Sequence, residues 1–85
     1  MARGGTNLGT VVRWDDEHRA AVIESPETPG GCWADAATIA HSHSGGVLRA
    51  GQVVELEWTD AGAHGFPFSA VRVVPRPDLQ ATIGG

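Results

Sequence analysis

The sequence predicts a single small all-β domain, folded as a five-stranded barrel. Three observations lead to this fold class: the chain has only 85 residues, turn residues separate short apolar runs, and one run alternates strictly between apolar and polar side chains. A chain of this length forms one domain. Its 12 glycines and 5 prolines favour short strands joined by turns over long helices.

The strands can be placed in order along the chain. The clearest is 53–59, where Val54, Leu56 and Trp58 fall on one face and polar residues on the other, as in a half-buried strand. Trp58 is therefore predicted to lie in the core. The other predicted strands are 8–15, 20–24, 32–36 and 66–74, with Val71 and Val73 on one face of the last.

The predicted barrel covers residues 8–75, between a flexible N-terminus (1–7) and a flexible C-terminal tail (76–85). We also expect a loop at 25–31, a helical or 3₁₀ turn at 36–40 and a polar loop at 41–46. Closure into a barrel removes the exposed edges that a small open sheet would leave. An SH3-like barrel has similar strand spacing, so the pattern alone leaves that alternative open.

Charge and cysteine content restrict the function classes. The net charge is −4, whereas proteins that bind nucleic acid mainly by electrostatics are usually basic. The single Cys32 cannot form an internal disulfide, which fits a reducing compartment. The sequence has no apolar run near the roughly 18 residues that a membrane span needs and no stretch typical of a signal peptide. We therefore expect a cytoplasmic protein without membrane contact.

The order of short motifs resembles the cold-shock domain, a five-stranded antiparallel barrel of the OB type. The run GTVVRW at 9–14 is similar to its first strand, and VIESP at 22–26 to the end of its second strand. GCW at 31–33 resembles its third strand, and LRAGQVVEL at 48–56 resembles its L-x-x-G-Q-x-V stretch. The segment SPETPGGCW is similar to cold-shock proteins of GC-rich bacteria, which implies an actinobacterial type. The resemblance covers about residues 8–75.

Cold-shock domains bind single-stranded RNA or DNA by stacking bases on aromatic side chains of the first three strands. Such stacking contributes roughly 1–3 kcal/mol per base and tolerates any sequence. The resemblance implies that aromatic side chains of this chain stack on bases and that arginines contact phosphate. The nucleic-acid-binding residues so predicted are Trp14, Trp33, Arg13, Arg19, Phe66 and Phe68.

Two motifs depart from the family pattern. RAAVI at 19–23 stands where the second strand of the family has a K-G-F-G-F-I-like run, and Asp35 and Ala36 stand where its third strand has His and Phe. The loss of roughly four rings, at about 1 kcal/mol each, lowers the affinity about a thousandfold. Asp35 adds a carboxylate that repels phosphate. We therefore predict weak binding to single-stranded RNA or DNA.

Other roles for these residues remain open at this point. Trp14, Trp33 and both phenylalanines could pack into the barrel instead, and Arg13 and Arg19 could pair with the acidic residues at 15–17. The alternative function is a protein-interaction or self-associating module that has lost nucleic-acid binding, with a protein partner or a homodimer. It predicts an exposed apolar patch around Ala21, Val22, Ala34 and Ala36.

The sequence gives no sign of an enzyme. It has no nucleophile–base pattern, no paired carboxylates and no Gly-rich loop before a helix, so neither catalytic residues nor a cofactor are expected. The histidines and the cysteine lack the usual zinc spacings, and no metal site is expected. The residues whose type could ligate a metal are Cys32, Asp35, His41, His43 and His64.

Overall fold

A computed structural model describes residues 3–40 and 47–79 of the chain, with the side chain of Leu79 left out. The predicted loop at 41–46 and the tail beyond residue 79 lie outside the described residues. Five strands and two 3₁₀ turns follow one another along the chain. They are β1 (Gly4–Asp15), β2 (Ala20–Glu24), β3 (Cys32–Asp35), a turn at Ala36–Thr38, β4 (Val53–Thr59), β5 (Phe68–Pro75) and a turn at Pro77–Leu79.

The strands form a closed barrel in the order β1-β2-β3-β5-β4. The predicted all-β, five-stranded barrel is therefore confirmed, but its strands are not all antiparallel. β3 and β5 run parallel, with Cys32 opposite Phe68 and Trp33 opposite Ser69. The correction has a simple reason: a closed ring with an odd number of strands cannot alternate direction at every neighbour, so at least one pair must be parallel.

β1 is longer than predicted and serves two neighbours. It begins at Gly4, within the segment predicted to be a flexible lead-in, because residues 4–10 pair with β4 along its whole length. Its second half, from Thr10, pairs with β2. A bulge at Val12 interrupts that pairing, and a bulge adds one unpaired residue and bends the strand. β1 can therefore turn from one neighbour to the other and close the barrel.

The barrel interior is filled by an inner cluster of apolar side chains. Val54, Leu56 and Trp58 of β4 all point into it, as the alternating pattern predicts, and Trp58 is 8% exposed. The other buried members are Val11, Ala21, Ile23, Cys32, Ala34, Leu48 and Val73.

β5 differs from the prediction because of a second bulge. Its pairing with β4 passes from Arg72 to Ala70 opposite Glu57 and Trp58, so Val71 is the extra residue. Phe68, Ala70 and Val73 therefore all face the inner cluster, whereas Val71 is 51% exposed. The predicted placement of Val71 beside Val73 is wrong. Among the described residues, no helix has the length and apolar character needed to cross a membrane.

Candidate functional site

β2 and β3 carry apolar side chains on both of their faces. Ala21 and Ile23 point into the barrel, whereas Ala20 and Val22 point outward, as does Trp33 of β3. These three outward residues form an outer cluster, and each is at most 5% exposed. They are buried because Ala63 and Phe66, from the connection between β4 and β5, pack over them.

Four aromatic side chains meet on this outer cluster and are called the ring cluster: His18, Trp33, His64 and Phe66. The His64 imidazole stacks on the Trp33 indole, with ring centroids 4.2 Å apart and planes 25° apart. Phe66 lies nearly parallel to Trp33 at 5.8 Å. The ring of His18 meets Trp33 edge-on at 5.7 Å and His64 at 5.5 Å. The β1–β2 turn, β3 and the β4–β5 connection therefore converge on one aromatic surface.

A tight hairpin aims His64 at Trp33. Ala63 and Phe66 exchange two backbone hydrogen bonds, of 3.0 and 2.9 Å, and His64 and Gly65 between them have φ of 51° and 86°. Positive φ at both central residues is typical of the type I′ turn. Histidine is among the few non-glycine residues enriched in this left-handed region. The backbone of the turn, rather than a flexible loop, thus sets the direction of the His64 side chain.

Gly31 makes room for Phe66 beside β3. Its φ is 103°, and a Cβ added there would lie 2.9 Å from Cδ1 of Phe66. Both the backbone conformation and the close approach of the ring therefore require glycine. Gly31, directly before β3, thus allows Phe66 to pack beside Trp33 in the ring cluster.

Acidic side chains form hydrogen bonds with the edges of two of these rings, Trp33 and His18. The Trp33 indole Nε1–H donates to Asp35 Oδ1 at 3.1 Å. The backbone N–H of His18 donates to Asp15 Oδ1 at 3.1 Å, and the His18 ring lies 3.1 Å from Oδ2. The pKa of Asp15 lies below its ordinary value, chiefly because of that backbone hydrogen bond, with the His18 ring contributing further. The exposed carboxylate of Asp35 therefore has a hydrogen-bond partner in the neighbouring indole.

The six predicted nucleic-acid-binding residues do not form one surface. Trp33 and Phe66 come together in the ring cluster, and Arg19 is exposed beside His18, with φ of 52°. Trp33 itself is only 4% exposed. Its indole face is therefore covered by its neighbours.

The other three predicted residues lie away from the ring cluster. Trp14 and Phe68 pack against the inner cluster, and Phe68 meets Trp58 edge-on at 5.3 Å. The indole N–H of Trp14 donates to Asp16 at 3.0 Å. Arg13 is exposed, and its Nη1 lies 3.8 Å from Asp15 Oδ2. These contacts match the packing and ion-pair roles that the sequence left open.

Two members of the ring cluster, His18 and His64, were not among the stacking residues predicted from the sequence. Both lie in turns, where no periodic pattern marks a side chain as part of a surface. The signal that could have found His64 is its position before Gly65, since His-Gly suits a two-residue turn with positive φ. The prediction of an exposed apolar patch around β2 and β3 is wrong. Ala21, Val22 and Ala34 are buried, because Ala21 and Ala34 lie in the inner cluster and the β4–β5 connection covers Val22.

Metal and thiol chemistry find little support among the described residues. Asp15, Glu17 and His18 have potential ligand atoms within 4.8 Å of one another, but a hydrogen bond already joins Asp15 to His18. Cys32 is fully buried, and burial raises the pKa of its thiol to about 12. Since the thiolate is the nucleophilic and metal-binding form, Cys32 acts as an apolar core residue at neutral pH. The candidate ligands His41 and His43 lie outside the described residues.

The described surface also has grooves on the far side of the barrel. One, of about 320 Å³, is lined by Thr6, Glu55, Glu57, Arg72 and Val74. Another, of about 300 Å³, lies along the start of β1 and the end of β4. Neither lining brings ring faces together, so the ring cluster is the better candidate for a stacking surface.

Known proteins give no further guide to this surface. Comparisons with protein-family models, with curated proteins and with solved structures found no match to the chain. A function can therefore be inferred only from the sequence motifs and from the geometry of the ring cluster.

Proposed function

We propose that this protein is a cold-shock-like barrel of the OB type that binds single-stranded RNA or DNA weakly through the ring cluster. The observation that carries the proposal is the convergence of His18, Trp33, His64 and Phe66 on one surface. Aromatic platforms of this kind bind bases by stacking, and this mode of binding has little sequence preference.

The position of the ring cluster in the barrel supports the OB-type assignment. OB folds are five-stranded barrels that bind oligonucleotides and oligosaccharides on the face of strands 2 and 3 and with the loops that connect strands 1–2 and 4–5. Here Trp33 lies on β3, His18 in the β1–β2 turn, and His64 and Phe66 in the β4–β5 connection. The order of the motifs between residues 9 and 56 supports the same family.

The charges around the ring cluster predict a low affinity. Arg19 is exposed beside His18 and can contact phosphate, but Asp15, Asp16 and Glu17 lie in or next to the same β1–β2 turn. Phosphate contacts supply most of the affinity of electrostatic nucleic-acid binders, and here carboxylates oppose them. Stacking therefore dominates, with a weak dependence on salt.

Fluorescence anisotropy of labelled oligo-dT and oligo-U at low salt tests the proposal. We expect dissociation constants in the high micromolar range for the wild type, and roughly fivefold to 100-fold weaker binding for Phe66→Ala, as for the loss of one stacked ring. Leu8→Ala is the matched control, since Leu8 is an apolar residue of β1 that is 47% exposed and is not part of the ring cluster. No binding by the wild type at millimolar protein would overturn the proposal.

A second candidate function is self-association through exposed apolar side chains. It rests on three apolar side chains that are 42–51% exposed, those of Leu8, Val12 and Val71. In this case the barrel would bind a protein surface and no nucleic acid. Sedimentation velocity over a wide concentration range decides it. A concentration-dependent dimer that Val71→Asp abolishes supports this candidate, whereas a monomer up to millimolar concentration excludes it.

A further inference from the structure

Resting on the proposed function, we propose that His64 occupies the position in which a base stacks on Trp33, so that a single strand binds by displacing this imidazole. The ring cluster would then be a self-covered site, and His64 would set its affinity. The ligand class is an unpaired nucleobase of a single strand.

The geometry of His64 is that of a stacked base. Of the three rings described around Trp33, His64 lies nearest, with centroids 4.2 Å apart and planes within 25° of parallel. His18 meets the indole edge-on and Phe66 is offset by 5.8 Å, so neither covers the indole as a base would. The imidazole is also a planar heteroaromatic ring. The imidazole therefore covers the face of the indole on which a base would stack.

His64 can leave without unfolding its hairpin. It lies at the exposed tip of the two-residue turn, and the two hydrogen bonds between Ala63 and Phe66 involve only backbone atoms of its neighbours. A rotation of the His64 side chain into solvent breaks neither bond, and exposed side chains change rotamer on a fast timescale. Since a stacked aromatic pair is worth a modest free energy, the covering ring should weaken ligand binding by roughly threefold to tenfold.

The affinity test removes the ring and keeps the turn. His64→Asn deletes the imidazole but retains a residue that type I′ turns favour, and His64→Gly serves as a second variant. Both should bind oligo-dT roughly threefold to tenfold more tightly than the wild type. His18→Asn is a comparison variant within the ring cluster: His18 meets Trp33 edge-on, so the same chemical change there should not tighten binding. An equal gain in affinity from His64→Asn and His18→Asn would contradict the proposal that His64 covers the stacking face of Trp33.

A direct readout of displacement comes from the His64 ring protons. In the free protein, the stacked indole should shift these NMR signals upfield, and saturating oligo-dT should return them toward the values of an exposed histidine. If the wild type binds but His64→Asn binds equally or more weakly, and the ring protons stay shielded, this inference is wrong while the proposed function stands. If no variant binds the oligonucleotide, the proposed function fails and the inference fails with it.

Discussion

The two faces of the β2–β3 pair differ in what holds their side chains together. The buried members described for the inner cluster all lie on strands except Leu48, and those of β4 follow the alternation of that strand. The outer cluster has only three strand residues, Ala20, Val22 and Trp33, and depends on turns for its cover. The inner cluster holds the closed barrel together, whereas the side chains that cover the outer cluster can change without unfolding the barrel.

This difference places the candidate function on the less constrained face. A closed barrel interior is packed at high density, so its side chains have little freedom. The outer cluster is covered by a hairpin tip and by the β1–β2 turn, and connecting segments on a rigid scaffold are where binding residues are most often found. Stability and binding should therefore respond to different substitutions.

The largest expected effect is on the inner cluster. Leu56→Ala removes a fully buried side chain and should lower the free energy of unfolding by about 2–5 kcal/mol, a large share of the stability of a small domain. Urea denaturation followed by circular dichroism measures it. A loss well below 1 kcal/mol would contradict the central place of Leu56 in the barrel interior.

A smaller effect is expected on the outer cluster from Gly31→Ala. The added methyl group must adopt a φ of 103° and would also collide with the Phe66 ring. The left-handed conformation costs roughly 1–2 kcal/mol, and the collision adds to it. Urea denaturation gives the total, and NMR signals of the Trp33 indole report the displaced ring.

Gly51→Ala is the matched control for this comparison. Gly51 has a similar φ of 94°, but an added Cβ there meets no atom within 4 Å. We expect it to show the backbone cost alone and to leave the Trp33 signal unchanged. Equal losses of stability in the two variants would mean that Phe66 is not held as tightly against Gly31 as described.

An effect confined to alkaline pH is expected from the ionisation of Cys32. Its pKa is raised to about 12 by burial, whereas an exposed thiol titrates near 8.5. The folded protein therefore keeps the proton longer than the unfolded chain, and stability should fall as the pH rises from about 8.5 toward 12. Denaturation of the wild type and of Cys32→Ala between pH 8 and 10 checks this. A wild-type decline no steeper than that of the variant would contradict the assignment.

The two faces also differ in how far the sequence predicted them. Strand β4 and the burial of Trp58 were predictable because alternation reports which side of a strand faces a core. The shift of Val71 out of the core was not, since a bulge leaves no sign in the period of the pattern. For the same reason Trp14 and Phe68, predicted as stacking residues, pack on the inner cluster.

The ring cluster was predictable only in part. Trp33 and Phe66 could be named because the resemblance to the cold-shock domain implies stacking aromatic residues, but His18 and His64 are brought to Trp33 by turns that are distant from it in sequence. Their placement depends on the positive φ of His64 and on the closure of the barrel. The closure of the barrel is a consequence of the whole fold, whereas the positive φ of His64 has a local signal in the pair His64-Gly65.

A titration of isotope-labelled protein with oligo-dT, followed by NMR, tests the central claim most directly. If the ring cluster is the binding surface, chemical-shift changes should be largest at the backbone of His18 and His64, at the Trp33 indole and at Phe66. The strands on the far side should change little. Shifts concentrated instead at Thr6, Glu57 and Arg72, or no shifts at millimolar oligonucleotide, would contradict the account.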